Sequence, residues 1–219
     1  MSFKIVVARF NENIDWLDEI KEDCIIYNKG PEFPILGNNY FQYHELPNVG
    51  RESDTYLNYI ISNYENLPLV VIFTQANISD HRGKNDIQYL MKLKTEAFEH
   101  GKSLPNIVYY KQKNKIWNDW LYPEWNYNRE GNFEYHKPNT YKNNQHIIFR
   151  DWFVKKIQPE YPNPLEVWDC ALFAVKKELI LKHEKEYYQH LLEECNHHND
   201  PIEGHFFERS WYYIFNHLV

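Results

Sequence analysis

The chain is poor in the features that would place it in several common classes. It has three cysteines, Cys24, Cys170 and Cys195, far apart and odd in number. No CxxC pair exists, so a structural zinc site is not expected and a reducing compartment fits best. No stretch approaches the roughly 18 apolar residues of a membrane span. The first ten residues lack a charged segment followed by a long apolar run, and read as a strand, not a signal peptide. The expectation is a cytoplasmic protein with no transmembrane segment, meeting a membrane only from its surface or through a partner. Positive charge is also scarce. The net charge is −7, and the most basic stretch, Lys111 to Lys115, is short. Such a chain lacks the field that helps a protein hold nucleic acid, so no nucleic-acid partner is expected. The phosphate-loop pattern GxxxxGK[ST] is absent, and neither an internal repeat nor a domain linker is visible.

What is present is an ordinary globular composition. With 219 residues, the chain is long enough for one buried core and short for two full domains. We read residues 1–219 as a single domain. Aromatic residues reach 17%, with 18 Tyr and 7 Trp. Flat side chains line pockets for sugars and bases as well as cores. Amino-acid bias accounts for the same count, so the count alone decides little.

The pattern along the chain is more informative. Phe3 to Phe10 (FKIVVARF), Cys24 to Tyr27 (CIIY) and Leu69 to Phe73 (LVVIF) are short apolar runs bounded by polar residues, which predicts buried strands. Asp15 to Ile20, Ser53 to Tyr64 and Asp86 to Phe98 have helical spacing between them, and Ile107 to Tyr110 reads as a fourth strand. This alternation predicts an α/β fold with a mostly parallel central sheet flanked by helices. Ligands in such sheets sit beyond the carboxyl ends of the strands. An irregular aromatic-rich segment follows at about 111–164, of the kind that serves as a functional loop. Trp168 to Val175 returns to strand character, Lys177 to Glu194 reads as one amphipathic helix, and Glu203 to His217 as the last helix.

Several polar groups fall at strand ends or helix starts, each with a plain structural alternative. Ala8, Arg9 and Asn11 follow the first strand. The forked donors of Arg9 suit phosphate, and a surface salt bridge explains them equally. Asn28-Lys29-Gly30 follows the second strand, where turn chemistry alone is sufficient. Asn48-Val49-Gly50-Arg51-Glu52-Ser53 leads into a helix, whose free N–H groups favour an anion. Glu52 and Asp54 there also fit simple first-turn helix charges. Thr74 and Gln75 follow the third strand, and Asp80-His81 a little later could bind a metal or move a proton. Glu203 opens the last helix as a base or a dipole charge. Asp169 lies in a strand-like run, where an acid is unexpected unless paired or functional.

Taken in order, VVARFNENIDWL (Val6–Leu17), IIYNKG (Ile25–Gly30), LPNVGRESDTYLNYI (Leu46–Ile60), VVIFTQANISDH (Val70–His81) and EGHFFERSWYYIF (Glu203–Phe215) carry a family likeness. The chain resembles the glycosyltransferase-like domains of fungi and large DNA viruses, a set similar to the amino-terminal domain of a chlorella-virus glycosyltransferase. The resemblance implies a single GT-A, Rossmann-like domain. It implies a UDP- or GDP-sugar donor, a glycan or other hydroxyl acceptor, and a divalent metal, Mn²⁺ or Mg²⁺. Carried over, Ala8, Arg9 and Asn11 border the nucleotide, Asn28 and Lys29 lie near its base, and Gly50 and Arg51 approach the diphosphate. Thr74 and Gln75 stand where many such enzymes carry Asp-x-Asp, a departure that makes Asp80 the nearest metal ligand. Glu203 takes the place of the catalytic base, with Asp169 in reserve. The missing Asp-x-Asp keeps a second reading open, a non-catalytic nucleotide-sugar- or carbohydrate-binding module.

Overall fold

The computed structural model describes residues 2–31, 42–109, 142–144 and 149–216, without the side chains of residues 80, 81, 107–109 and 144. Its strands are β1 (Phe3–Arg9), β2 (Cys24–Asn28), β3 (Gln42–Glu45), β4 (Val70–Gln75), β5 (Ile107–Tyr109), β6 (Leu165–Val167) and β7 (Phe173–Lys176). Its α-helices are α1 (Arg51–Asn63), α2 (Ser79–Arg82), α3 (Ile87–His100), α4 (Phe149–Lys156), α5 (Lys177–Ile180), α6 (Lys185–Cys195) and α7 (Ile202–Ile214).

The main sheet has the order β3-β2-β1-β4-β7. β1 to β4 are parallel, and β7 closes one edge antiparallel to β4. This is the mostly parallel α/β sheet that the alternation predicts. β1 is central because Ile5, Val6 and Val7 are all fully buried, as a strand covered on both faces requires. The pleat sends alternate residues to opposite cores. Val6, Val71 and Phe73 meet Tyr56, Tyr59 and Trp211 on one face, while Ile5, Val7 and Ile72 meet Leu90, Leu93 and Ala97 of α3 on the other. From β1 the chain builds outward to β2 and β3, then crosses back to place β4 on the other side of β1. The strand order therefore switches direction between β1 and β4.

Four sequence expectations need correction. Lys177 to Glu194 is not one helix. It stops after α5, where the hydroxyls of Tyr188 and Tyr64 donate to the carbonyls of Ile180 (2.7 Å) and His183 (2.6 Å). Those side chains supply what a continuing turn would have supplied. Trp168 to Val175 is not one strand. Cys170 (φ 59°) and Ala171 (φ 53°) are left-handed, which breaks the extended run into a 3-10 turn at Asp169–Ala171. β5 forms as expected over Ile107–Tyr109 but pairs antiparallel with β6, outside the main sheet. Within the stretch read as irregular, α4 buries Phe149, Trp152 and Phe153. Those rings pack on Phe206, Phe207 and Tyr213 of α7.

β3 gave no sequence signal. Its QYHE residues are mostly exposed, and backbone pairing with β2 holds it. The first helical expectation, near Asp15 to Ile20, is a 3-10 segment at Asp15–Asp23 with Leu17 buried.

α7 is the densest element. All thirteen of its residues are buried, so its polar side chains must find partners inside the protein. Ser210 donates to the Phe206 carbonyl (2.8 Å) and Arg209 to the His205 carbonyl (2.7 Å).

The turn after β2 is held closely against the end of β1. A Cβ built on Gly30 would lie 1.8 Å from the Phe10 carbonyl oxygen, a backbone clash that no side-chain rotation relieves. We expect Gly30→Ala to lower unfolding free energy by about 2 kcal/mol or more, read as a reduced urea midpoint. An unchanged midpoint would show that this corner moves freely.

Candidate functional site

The carboxyl ends of β1, β2 and β4 meet the start of α1 around a cavity of about 230 Å³. Ala8 and Arg9 line it from β1, Phe10 and Glu12 from the turn after β1, Lys29 from the turn after β2 and Gln75 from β4. Asn48, Arg51 and Glu52 complete it from the approach to α1, with Asn199 from the loop between α6 and α7. Its position between β1 and β4 is the topological switch point, where open α/β sheets bind ligands.

The charges around it are held in place. Arg9 donates through Nε to the Glu12 carbonyl (2.9 Å) and through Nη1 to Asn28 Oδ1. Asn28 is 2% exposed, and its amide also donates to the carbonyls of Gly30 (3.0 Å) and Pro31 (3.1 Å). It therefore orients Arg9 instead of reaching a base. Lys29 donates to the carbonyls of Val49 and Arg51, and its Nζ is 3.4 Å from Asp54 Oδ2. Burial pushes the Lys29 pKa below its ordinary value, with Asp54 opposing. This lysine ties β2 to the start of α1.

Gly50 (φ 65°) and Arg51 (φ 53°) are both left-handed. The corner they form is fixed by a hydrogen bond from Gly50 N to the His198 carbonyl (2.8 Å). A non-glycine residue held at positive φ is strained, and such strain gathers at functional sites. The Arg51 guanidinium lies among acids: 3.6 Å from Glu52, 3.1 Å from Asp200 and 3.0 Å from Glu208. His205 Nε2 is 2.9 Å from Arg51 Nη1. Burial opposes the charge of Arg51, yet Glu52, Glu208 and Asp200 together hold its pKa above the ordinary value. For Glu52, burial drives the pKa up, Arg51 works against this, and repulsion from Glu208 adds to it.

The cavity thus gathers Ala8, Arg9, Lys29, Arg51 and Gln75 of the predicted residues. Gly50 shapes the adjoining corner. Thr74 is fully buried and donates to the Gln75 carbonyl (3.0 Å). Gln75 in turn donates to the Cys170 carbonyl (3.2 Å). Asn11 is exposed and outside the lining.

Neither proposed base lines the cavity. Glu203 is 1% exposed. Its Oε1 accepts from Lys142 N (2.9 Å) and its Oε2 lies 3.6 Å from His197. Asp169 sits in the 3-10 turn, its Oδ1 accepting from the Cys170 thiol (3.1 Å) and its Oδ2 3.8 Å from Arg82. Arg82 is therefore its cation.

Sequence reasoning passed over Glu52 as a helix-dipole charge. The signal was available, since Tyr56, Tyr59 and Ile60 follow it at i+4, i+7 and i+8 on the buried face of α1. Asn199, in a loop distant in sequence, carried no such signal.

The described cavity residues do not form a metal cage. Glu12 accepts from the amides of Phe10 (2.7 Å) and Asn11 (3.1 Å), and Glu52 faces Arg51. Among the described residues no three His, Cys, Asp or Glu side chains converge as a metal site. The Asp80 side chain lies outside the described residues.

The fold and cavity define an α/β protein with a polar, cation-bearing cleft at its switch point. Residues 5–218 match the DUF3431 family, described as proteins of unknown function, and the chain belongs to that family. No curated protein and no solved structure matches it.

Burial raises the Glu203 pKa to about 7, against 4.5 ordinarily. Folding therefore takes up a proton between these values, and the stability linked to Glu203 is full below pH 4.5 and lost as pH rises through 7. We expect Glu203→Gln to flatten this part of the stability profile, with a relative gain of roughly 3 kcal/mol by pH 8. Chemical denaturation at pH 5 and pH 8 measures it. Parallel profiles for the two proteins would refute the linkage.

Proposed function

We propose that the chain is a glycosyltransferase that takes a UDP- or GDP-sugar donor and transfers the sugar to a hydroxyl acceptor. The observation that carries this reading is the cavity at the β1/β4 switch point, lined by Arg9, Lys29 and Arg51 from three separate segments. The family resemblance of those same segments supports it.

Glycosyl transfer needs charge stabilisation on the departing diphosphate, and fixed donors in a partly dry cleft provide it without reorganisation. In this reading Arg9 and Arg51 face the diphosphate, with Asn28 fixing the first and the surrounding carboxylates the second. Lys29 holds the frame and contributes little free charge, because Asp54 balances it. A divalent metal, with Asp80 as its protein ligand, is part of the proposal. It would supply further charge stabilisation when bound.

The acceptor proton goes to a carboxylate in an inverting transfer. Glu203 and Asp169 are the residues proposed for it, and neither lines the cavity. That placement favours a second reading, a module that binds the nucleotide sugar without transferring it.

One experiment separates these. Thermal melts with a panel of nucleotide sugars are expected to show stabilisation by at least one uridine or guanosine donor, about 2.7 kcal/mol at a hundredfold excess over Kd. Donor hydrolysis is then assayed with and without Mn²⁺. Binding with hydrolysis supports the enzyme, and full activity in excess chelator removes the metal. Binding without hydrolysis or transfer supports the module. No stabilisation by any nucleotide sugar overturns both readings.

A further inference from the structure

The residues that line the cavity divide by exposure. Arg9, Lys29 and Glu52 are buried, whereas Phe10, Asn48 and Asn199 are exposed and mark its mouth. Phe10 differs in kind from the rest of the lining, which is polar or charged except for Ala8. It is 43% exposed, while Phe73, Phe173 and Phe207 are fully buried. Leu104, Val154 and Leu181 are exposed too, but none of them lines the cavity.

What Phe10 exposes is its ring, because its backbone is covered. The amide donates to Glu12 Oε2 (2.7 Å) and the carbonyl accepts from Arg9 Nη1 (3.3 Å). Gly30 packs against that carbonyl, and a Cβ there would also lie 3.0 Å from the ring carbon Cδ2. Gly30 therefore props one edge of the ring. Among the described residues the Phe10 ring stacks on no other aromatic ring. A single apolar side chain in water is ordinary on an open surface. This one stands at the mouth of a cavity, on a pinned turn, one residue from a buried arginine.

A flat apolar face takes a flat partner, either a nucleobase or the C–H face of a sugar. Position decides between them. A sugar in transfer needs a place from which water is excluded, and an exposed mouth is not one. A base takes no part in the reaction and can lie there. Asn28 and Lys29, where the resemblance puts the base, are engaged inside the protein.

We propose that Phe10 is the nucleobase platform of this cavity: its exposed ring stacks on the base of a nucleotide, so the ligand is recognised through its base as well as its phosphates. The sugar carried by that nucleotide rests on the function proposed above. The stacking does not.

Calorimetry on the full chain tests this with UDP, GDP, UDP-glucose, GDP-mannose, glucose 1-phosphate and inorganic pyrophosphate. Phe10→Ala removes the ring, Phe10→Leu keeps apolar bulk without a flat face, and Phe10→Trp keeps a flat face. The wild type is expected to bind UDP or GDP more tightly than pyrophosphate. Phe10→Ala and Phe10→Leu should each weaken the preferred nucleotide by about tenfold, with pyrophosphate changed by less than about twofold. Phe10→Trp should keep most of the wild-type affinity. Melting temperatures confirm that the variants are folded, and if Phe10→Ala is not, Phe10→Leu is read alone by the same criteria.

The proposal falls if the ring can be removed without loss of nucleotide affinity. It falls equally if pyrophosphate weakens as much as the nucleotide, since Phe10 would then only shape the turn that holds Arg9. A loss confined to glucose 1-phosphate would move the ring to the sugar and overturn it as well. Nucleotide sugars that bind wild type and Phe10→Ala alike would refute the platform and leave the proposed function standing. UDP or GDP binding that depends on Phe10, with no nucleotide sugar bound, would keep the platform and remove the donor. Failure of every nucleotide to bind would remove both.

Discussion

The structure depends on how Arg51 is held. Its guanidinium is shared among Glu52, Asp200 and Glu208, and the backbone that delivers it is a left-handed corner at Gly50 and Arg51. Three parts of the chain converge there. Lys29, at the end of β2, donates to the carbonyls on either side of Gly50. The loop between α6 and α7 supplies the His198 carbonyl and Asp200. α7 supplies Glu208 and also Gly204, where an added Cβ would lie 3.0 Å from Arg51 Cδ. A side chain at position 204 would push against the arginine that the acids position. Removing one partner from such a cluster leaves the other charges uncompensated, which is why buried ion networks fix geometry even where their net stabilisation is small.

The same arrangement sets the character of the cavity. Two of its three cations are already balanced by neighbouring carboxylates, so it is a preorganised polar cleft and not a broad positive field. This fits a protein with a net charge of −7. Such a cleft recognises a ligand through the placement of donors and acceptors more than through attraction at a distance. It also ties the site to the core. α1 carries Arg51 and Glu52 at one end and Tyr56, Tyr59 and Ile60 against the sheet, so the site rests on a rigid element.

Much of this was legible in the sequence. The apolar runs ending at Phe10, Tyr27 and Phe73 announced parallel strands, and Arg9, Lys29 and Gln75 at their ends line one cavity. The sequence could not show that Lys29 and Asn28 would be consumed internally, because Val49 O, Asp54 and Arg9 reach them only through the fold. Nor could periodicity find β3, whose exposed QYHE residues are held by backbone pairing. The break at His183 was hidden for a related reason. The hydroxyls that end α5 come from Tyr64, far away in sequence, and Tyr188, on the next helix. Glu52 is the instructive miss, since helix-dipole logic and burial by periodicity made different claims about one residue, and burial won.

The central claim is that the switch-point cavity binds a nucleotide sugar. Photolabelling with an azido-uridine diphosphate glucose, followed by peptide mapping, tests it most directly. The account predicts adducts within residues 8–12 or 48–52, suppressed by excess unlabelled UDP-sugar or GDP-sugar. Adducts confined to other parts of the chain, or adducts that no nucleotide sugar suppresses, would contradict it.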